Sequence, residues 1–458
     1  MLAIAVDLTT RAFELYTHRP QRVRQIAYFA QRFRRNGMAP KVLRAVQNRR
    51  MRRTISYAYQ RSPYYRSHFS QTGLHPRDIR TIADLRHLPF TTAADIRNWQ
   101  QFLCVPEDDV SAVFTTSGTT GEPKRVYFTS RELNAMTNFA AFALRFGQPG
   151  RLVALLALPM SHGFWIGSAT AQRVVERAGG LPLPVGADDP VEAVAWMRRF
   201  SPNVVISSCS YLAAITRQAE REGYRPRLER VLLGGETVTP DRRSLFQEYW
   251  NTEVLDSYGS TEIGGGQTLA LPECTAFNLN DMHLVTEIID PDTGQSTDEG
   301  ELVFTTLLRE AMPLLRYRSG DRGRWSLCPC GLPFQAIQLT GRTDDMFVAG
   351  DMNLYANVVA AAVERVTGAT GRITIELDRV EAADRVVLRV EGKDVNEDAV
   401  RGALFVAYPE FSTNISNGNI LLDIQIGVSL GSQIKAFKIV DRRSGFGDHR
   451  QVIPMEGA

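Results

Sequence analysis

Apolar residues recur every three or four positions through the first hundred residues of the chain. Ile26, Phe29 and Phe33 form one such series, and Ile55 and Ala58 belong to another. This spacing places the apolar side chains on one face of a helix. Residues 1–105 are therefore predicted to be helical.

From residue 109 onward, short apolar runs alternate with helical stretches. The predicted strands lie at residues 112–114, 152–158, 203–206, 230–233 and 254–257, and the predicted helices include residues 190–199 and 242–250. This alternation is typical of a mainly parallel sheet covered by helices. The predicted fold class for the body of the chain is α/β.

The last hundred or so residues have the pattern of a separate small unit. Strands are predicted at residues 301–306 and 313–317, and the turn residues at 341–350 indicate a boundary. A compact α+β module fits the predicted order beyond it, which is helix 355–366, strands 372–377 and 385–390, helix 396–406 and strand 419–426.

We therefore expect two domains joined by a hinge. The large domain has a helical N-terminal part (residues 1–105) and a core of mainly parallel sheets covered by helices (residues 106–342). The small C-terminal α+β domain (residues 343–458) is expected to be mobile.

Composition excludes several classes of protein. Of 458 residues, 44% are hydrophobic and 22% are charged, which is enough apolar material for a large core and argues against disorder. The longest apolar run, residues 152–160, is about half of the ~20 residues that a membrane-spanning helix needs. The N-terminus does not match a secretory signal, and an odd number of cysteines, five, favours a reducing cytoplasm.

Charge is distributed unevenly along the chain. Residues 1–60 hold 13 lysines and arginines against Asp7 and Glu14. A basic arm of this kind can attract nucleic acid, an anionic membrane or an anionic ligand. A solvated helical face in an arginine-rich protein is the simpler interpretation, and we expect no nucleic-acid partner.

A loop rich in glycine and hydroxyl side chains follows the first predicted strand and ends at Lys124, one of five lysines in the chain. The glycines allow the backbone to approach a phosphate closely, the amides and hydroxyls are donors, and the lysine supplies a point charge. The spacing differs from the nucleotide loop G-x-x-x-x-G-K-[ST]. A flexible loop is the alternative, but a polyphosphate-binding loop is the preferred interpretation. Its candidate residues are Thr115, Thr116, Ser117, Gly118, Thr119, Thr120, Gly121 and Lys124.

This loop resembles the phosphate loop of the adenylate-forming superfamily of acyl-CoA ligases, non-ribosomal adenylation domains and luciferases. Three further segments resemble its motifs in the expected order, at residues 258–262 (YGSTE), 316–321 (RYRSGD) and 341–345 (GRTDD). Within the superfamily, the phenylacetate–CoA ligase branch is the most similar, through residues 62–66, 88–92, 287–294 and 300–307.

The resemblance implies roles for individual residues. Glu262 matches the position that binds Mg²⁺, a hard cation that favours carboxylates. Asp321 matches the residue that accepts hydrogen bonds from the ribose hydroxyls, and Arg342 matches a ribose or phosphate contact. The other candidate nucleotide-binding residues are Gly235, Glu236, Asp256, Ser257, Tyr258, Gly259, Ser260 and Thr261.

Near the C-terminus, Lys435 matches the superfamily's catalytic lysine, which bridges the substrate carboxylate and the α-phosphate. It is preceded by Ile434 where the branch has glycine, and Lys438 is a rival three residues later. Asp344 occupies the pivot position of the hinge, which predicts rotation of the small domain between two half-reactions. The predicted catalytic residues are Lys435, Lys124 and Glu262.

Two regions resemble the walls of the acyl pocket in relatives. The resemblance implies an aromatic, mostly apolar lining that suits an aryl acid, although these side chains are also suited to core packing. The candidate substrate-binding residues are His162, Gly163, Phe164, Trp165, Ser208 and Tyr211.

Three cysteines and one histidine form a second candidate constellation, Cys274, His283, Cys328 and Cys330. Soft thiolates and an imidazole suit tetrahedral zinc, and some members of the resembling branch carry similar cysteines. The spacing of Cys328 and Cys330 is one residue tighter than the usual C-x-x-C, and buried free thiols are the alternative. Cys104 and Cys209 are predicted to be core residues.

These observations favour an ATP-dependent aryl acid–CoA ligase that uses Mg²⁺ and forms an acyl-AMP intermediate. One alternative keeps the first half-reaction but passes the acyl group to a carrier protein or an amine. A second alternative is a nucleic-acid-binding or membrane-binding scaffold with a decayed enzyme fold. A homodimer and a cytoplasmic location are further expectations.

Overall fold

The computed structural model describes residues 39–115, 124–145, 150–158, 166–187, 189–235, 238, 240–270, 274, 276–330, 332, 334–342, 346–350, 352–367, 373–391, 396–427 and 437–443. The first 38 residues, which carry much of the basic arm, lie outside this set.

The described N-terminal segment is helical, beginning with the 23-residue helix α1 (Ala39–Arg61). Ser62 caps the next helix, α2 (Pro63–Thr72), because its hydroxyl accepts a hydrogen bond from the N–H of Tyr65. Shorter helices follow at Pro76–Asp78, Ile82–His87, α3 (Ala93–Ile96), α4 (Trp99–Phe102) and Glu107–Asp109.

These helices do not form a core of their own. Buried side chains of the helical segment, including Ile55 and Phe102, lie in one hydrophobic cluster with Leu314 and Tyr317, more than 200 residues later in the chain. The N-terminal helices therefore pack against the start of the strand that carries the candidate nucleotide motif at residues 316–321.

A hairpin leads into the main sheet. Strand β1 (Ala112–Thr115) pairs antiparallel with β2 (Arg125–Phe128), so that Thr115 lies opposite Arg125. Helix α5 (Ser130–Arg145) follows. The candidate phosphate loop thus connects two paired strands, and Lys124 directly precedes β2.

Five parallel strands form the centre of the large domain, in the order β4-β3-β5-β6-β7. Their bounds are β3 (Val153–Ala157), β4 (Leu181–Pro184), β5 (Val204–Ser207), β6 (Arg230–Gly234) and β7 (Glu253–Ser257). The connecting helices are α6 (Ile166–Arg177), α7 (Pro190–Phe200), α8 (Cys209–Arg221) and α9 (Pro240–Trp250). The α/β fold class is confirmed, and so are four strands of this sheet, β3, β5, β6 and β7, to within one residue at each end. The edge strand β4 was not predicted, whereas the predicted strand at 112–114 is confirmed as β1 of the hairpin.

Both faces of this sheet are covered. Ala154 and Leu156 of β3 lie in a cluster with residues of α5 and α6, whereas Leu155 and Ala157 lie in a cluster with residues of α7, α8 and α9. Because β3 is covered on both faces, every one of its residues is buried. Such a strand appears in the sequence as a continuous apolar run.

A six-stranded antiparallel sheet continues the large domain, in the order β10-β11-β15-β14-β13-β12. Its strands are β10 (Thr268–Leu269), β11 (Phe277–Leu279), β12 (Leu284–Ile289), β13 (Glu299–Thr306), β14 (Tyr317–Ser326) and β15 (Ala336–Arg342), and the short pair β8 (Gly259–Ser260) and β9 (Gly265–Gly266) lies between the two sheets in sequence.

The strand predicted at residues 313–317 is wrong, because β14 begins only at Tyr317. Arg316 has a left-handed backbone with φ of +47°, which ends extended structure before it. Its guanidinium donates to the carbonyl of Leu88 at 2.7 Å and forms an ion pair with Glu287 at 3.0 Å. These contacts hold the chain in the turn.

The C-terminal region has its own hydrophobic cluster, which includes Phe347, Ile375, Leu388 and Ile424. A hairpin of β16 (Met346–Ala349) and β17 (Met352–Tyr355) is followed by α10 (Ala356–Thr367) and by a mixed sheet in the order β20-β19-β18-β21. The remaining elements are β18 (Ile373–Val380), β19 (Ala383–Val390), α11 (Glu397–Ala407), α12 (Glu410–Ser416), β20 (Ile420–Ile426) and β21 (Phe437–Asp441).

Two hydrogen bonds join this region to the helices of the parallel sheet. Arg217 of α8 donates to the side-chain oxygen of Asn419 at 2.7 Å, and Arg242 of α9 donates to the carbonyl of Ala382 at 3.3 Å.

Among the described helices, none is long and apolar enough to cross a bilayer.

Candidate active site

Lys124 and Glu262 meet although 138 residues separate them in sequence. The Nζ of Lys124 lies 2.5 Å from the Oε1 of Glu262, and the two side chains are 17% and 6% exposed. Lys124 closes the candidate phosphate loop, and Glu262 follows the short strand β8. The fold therefore joins the two motifs that the sequence nominates for phosphate and metal binding.

A third motif contributes to the same carboxylate. The hydroxyl of Tyr317, at the start of β14, donates to the Oε1 of Glu262 at 2.9 Å. Burial alone would raise the pKa of Glu262, but the Lys124 ammonium and the Tyr317 hydroxyl outweigh it and lower that pKa below its ordinary value. Glu262 is consequently ionised at neutral pH.

Two partners of this carboxylate bind the same oxygen. Lys124 and Tyr317 both donate to Oε1 of Glu262. An ionised carboxylate oxygen next to a candidate phosphate loop fits the preference of Mg²⁺ for hard oxygen ligands.

Asp321 lies in β14, four residues after Tyr317. Its Oδ2 accepts a hydrogen bond from the hydroxyl of Tyr258 at 2.6 Å, and Asp321 pairs with Arg342 across the β14–β15 ladder. Tyr258 and Asp321, two of the predicted nucleotide-binding residues, are thus in direct contact, and the backbone of a third, Arg342, lies beside Asp321 in the sheet.

The ends of β6 and β7 supply the next group of predicted residues. Gly235 follows β6 with φ of +83°, a conformation that favours glycine. Asp256 is buried at the end of β7, and this burial raises its pKa to about 7 although Arg243 and the N–H of Ser257 oppose the shift. The carboxyl ends of parallel strands are where α/β sheets bind ligands.

The segment from Ser257 to Glu262 is fixed by close backbone packing. The Ser257 hydroxyl donates to the carbonyl of Thr268 at 3.1 Å, and the Tyr258 N–H donates to the Thr268 hydroxyl at 2.9 Å. A Cβ on Gly259 would lie 1.8 Å from the carbonyl oxygen of Gly265, so a glycine is required there. Ser260 and Thr261 lie between these anchors and Glu262.

The two described residues of the predicted acyl pocket have structural contacts. The hydroxyl of Ser208 caps α8 by accepting from the N–H of Tyr211 at 3.3 Å. Tyr211 itself is 2% exposed and belongs to the cluster under the parallel sheet. Their roles toward a substrate stay predictions.

Several predicted site residues lie outside the described residues, and their roles also stay predictions. They are Thr116, Ser117, Gly118, Thr119, Thr120, Gly121, His162, Gly163, Phe164, Trp165, Glu236, Asp344 and Lys435.

The structure adds two residues that sequence reasoning missed. Arg309 donates to the backbone carbonyl of Glu262 at 2.8 Å and forms an ion pair with Glu132 at 2.7 Å, both side chains being at most 3% exposed. Neither residue lies in a segment recognised as a motif. Their proximity to the site arises from contacts between distant parts of the chain, so sequence spacing carries no signal for it.

The cysteine constellation is assembled only in part. The Sγ of Cys328 lies 2.8 Å from that of Cys274 and 3.1 Å from that of Cys330, and the three sulfurs lie within 4.8 Å of one another. The side chain of Asn278 contacts all three, at 3.3 to 3.5 Å. A hydrogen bond with Cys274 lowers the pKa of Cys330 to about 6, which favours a thiolate.

The prediction that His283 belongs to this constellation is wrong. His283 is not among the residues whose ligand atoms come together there. It is buried, and this burial, with the nearby Arg50 guanidinium, lowers the pKa of its imidazole to about 3. Cys104 and Cys209, by contrast, are buried as predicted.

Known proteins support the interpretation of these motifs. The AMP-binding enzyme family matches residues 42–306. The phenylacetate–coenzyme A ligase of Thermus thermophilus is 31% identical to this chain over 364 residues, which are 76% of this chain and 81% of the relative. The phenylacetate–coenzyme A ligase of Aromatoleum evansii is 29% identical over 428 residues, with coverage of 88% and 94%.

Solved structures share the fold. A crystal structure of 2-hydroxyisobutyryl-CoA ligase with 2-HIB-AMP and CoA, in its thioesterification state, has a TM-score of 0.75 at 24% identity and covers 88% of this chain and 90% of its own. The same ligase in its postadenylation state has a TM-score of 0.62 at 23% identity and covers 89% of this chain and 90% of its own.

The chain therefore belongs to the AMP-binding enzyme family and, within it, to the phenylacetate–coenzyme A ligases. The resemblance inferred from the motifs is confirmed.

Proposed function

We propose that this protein is an ATP-dependent ligase that activates an aryl carboxylic acid as its acyl-AMP and transfers the acyl group to coenzyme A. The observation that carries the proposal is the contact between Lys124 and the ionised Glu262, which joins the candidate phosphate loop to a carboxylate suited to Mg²⁺. Family membership and the named activity of the phenylacetate–coenzyme A ligase relatives support it.

The reaction has two steps with different demands. In the first, an oxygen of the substrate carboxylate attacks the α-phosphorus of ATP, and the bond from that phosphorus to pyrophosphate breaks. In the second, the thiol of coenzyme A loses its proton, its sulfur attacks the acyl carbon, and AMP leaves. Positive charge and oriented donors around the phosphates stabilise the first transition state.

The described residues suit the first step. Lys124 would bind phosphate oxygens once ATP displaces it from Glu262, and Glu262 would hold Mg²⁺, which supplies positive charge to the same phosphates when bound. Asp321 would accept from the ribose hydroxyls, with Tyr258 fixing its orientation and Arg342 beside it. Gly235, Asp256 and Ser257 would border the base at the ends of the parallel strands.

The remaining roles rest on the resemblance alone. Lys435 would bridge the substrate carboxylate and the α-phosphate, and rotation of the small domain about Asp344 would separate the two steps. His162, Phe164 and Trp165 would line the aryl pocket. A cytoplasmic location and a homodimer complete this part of the proposal.

The cysteine cluster is proposed to hold a structural zinc ion. Three cysteine sulfurs that lie within 4.8 Å of one another match the donor type of structural zinc sites. His283 is not part of this group, and the side chain of Asn278 contacts all three sulfurs. This site would stabilise the fold and take no part in the reaction.

The proposed activity is tested by pyrophosphate release with ATP and Mg²⁺ over a panel of aryl and aliphatic acids, each with and without coenzyme A. We expect continuous release with an aryl acid only when coenzyme A is present, and none when the acid is omitted. A stoichiometric burst that coenzyme A does not convert to turnover would indicate a carrier protein or an amine as acceptor. No release with any acid would contradict the ligase proposal.

A further inference from the structure

Arg309 has an unusual position behind the candidate active site. It lies three residues beyond the end of β13, and its guanidinium uses all three nitrogens. Nη1 donates to the backbone carbonyl of Glu262 at 2.8 Å, Nη2 to the carbonyl of Tyr127 at 2.8 Å, and Nε to the carboxylate of Glu132 at 2.7 Å. The guanidinium also lies over the ring of Phe128, 3.9 Å from its centroid.

These contacts connect the two halves of the site. Tyr127 belongs to β2 and follows Lys124 by three residues, whereas Glu262 lies on the loop after β8. One rigid, planar group therefore bonds both the strand that directly follows the lysine and the residue that carries the carboxylate. Through these two backbone carbonyls, the Arg309 bridge fixes the distance between Lys124 and Glu262.

Glu132 holds the arginine in place. Its carboxylate accepts hydrogen bonds from the N–H groups of Thr129, at 2.5 Å, Glu310, at 2.8 Å, and Ala311, at 3.2 Å. Thr129 in turn accepts from the N–H of Glu132, which forms a capping box at the start of α5. The side chain of Glu132 is fully buried. Its two carboxylate oxygens accept hydrogen bonds from Arg309 and from these three backbone N–H groups.

A purely structural role does not account well for this pair. Buried ion pairs contribute little net stability compared with apolar residues of the same size, because desolvation of the charges offsets their attraction. The pair fixes the orientation of the guanidinium, and a guanidinium held in one orientation holds two backbone carbonyls at set positions. Both of those carbonyls belong to segments of the proposed ATP site.

We infer that Arg309, oriented by Glu132, is a positioning residue that sets the spacing of Lys124 and Glu262 and thereby the affinity for Mg²⁺·ATP. Arg309 faces the backbone of the site, so it does not touch the nucleotide itself. The inference rests on the proposed function, because it assigns Lys124 and Glu262 to ATP and Mg²⁺.

The test compares two conservative variants of equally buried arginines. Arg309→Lys keeps the charge but cannot form the three-way bridge. Arg230→Lys is the matched control: Arg230 is also 3% exposed and ion-paired, to Glu253, but both lie at the opposite ends of β6 and β7 from the site. Binding of Mg²⁺·ATP is measured by calorimetry without acid substrate, together with the KM for Mg²⁺·ATP, kcat and thermal stability.

We expect Arg309→Lys to weaken Mg²⁺·ATP binding and raise the KM by about 10-fold to 100-fold, with a smaller change in kcat. Arg230→Lys should lower stability without changing either constant. Glu132→Gln, which keeps Arg309 but removes its charged partner, should weaken binding in the same direction and by less.

Three outcomes would count against the inference. Unchanged affinity in a folded Arg309→Lys protein overturns it, as does an equal loss of affinity in Arg230→Lys. Wild-type protein that fails to bind Mg²⁺·ATP overturns the proposed function together with this inference, whereas wild-type binding with unchanged variants overturns this inference alone.

Discussion

Two regions of the large domain are suited to a cation, and they are built in different ways. The site around Glu262 draws hard oxygen and nitrogen groups from the residue before β2, the loop after β8 and the start of β14, and Arg309 bonds to the backbone of this site. The cysteine cluster draws soft sulfur groups from Cys274, three residues before β11, and from the connection between β14 and β15. The first links the β1–β2 hairpin to the six-stranded sheet, and the second lies at one end of that sheet.

The difference predicts what each region does. Around Glu262, each charged group is held by partners of the opposite charge or by backbone carbonyls, so removing one group leaves another buried and unpaired. The three thiols bond mainly to one another and to Asn278, so their loss affects the local connection. We therefore expect changes at the first region to act on chemistry and changes at the second to act on stability.

The largest effect should follow from Glu262→Gln. The amide keeps the size of the side chain and an acceptor for Tyr317, but it removes the negative charge that binds Lys124 and would bind Mg²⁺. Pyrophosphate release should fall by about 10²-fold to 10³-fold, the loss typical for one electrostatic group at a reacting centre.

The control for this change is Glu253→Gln, at the amino end of β7, which removes an ion-paired carboxylate away from the site. It should leave turnover near the wild-type rate. Turnover by Glu262→Gln within a few-fold of wild type would remove Glu262 from the chemistry.

The next effect concerns the cysteine cluster. Cys330→Ser should lower the zinc content from about one ion per chain to near zero and lower the free energy of unfolding by about 1 to 3 kcal/mol, because metal binding is linked to folding. Elemental analysis and urea denaturation measure the two quantities, and kcat should change little.

Cys209→Ser is the matched variant, because Cys209 is a fully buried thiol outside the cluster. It should lose stability by a similar amount without any change in zinc content. Wild-type protein that contains no zinc after expression in zinc-supplemented medium would contradict the proposed metal site.

Sequence periodicity found four of the five parallel strands, missing the partly exposed edge strand β4, and only part of the antiparallel sheet, where it found β13. The strands β3, β5, β6 and β7 are buried on both faces and appear as apolar runs separated by helices, so their positions follow from the pattern. The strand β14 has the sequence YRSGDRGRWS, which is poor in apolar residues. Its existence depends on pairing with β13 and β15, and that pairing is non-local.

The same distinction applies to the site. Lys124 was predicted from the residue types of its loop, and Glu262 and Asp321 were predicted because each lies inside a contiguous motif that resembles a motif of the superfamily. Arg309 and Glu132 are 177 residues apart in sequence, and nothing about either residue alone indicates that they meet. His283 failed as a zinc ligand for a related reason, since proximity to cysteines along the chain does not decide which side chains face each other.

The smallest effect should come from Tyr258→Phe, which tests the ribose side of the site. The change removes one hydroxyl, the donor to Asp321 at 2.6 Å, and leaves the ring in contact with the core. One hydrogen bond to a charged group contributes on the order of 1 to 2 kcal/mol. The KM for ATP should therefore rise by roughly 5-fold to 30-fold, while kcat and zinc content stay near wild-type values. With the deoxyribose analogue of ATP, the variant and the wild type should have similar KM values, because the variant and the analogue weaken the same contact and their losses should not add. An equally large rise in the KM of the variant for the analogue would contradict the assignment.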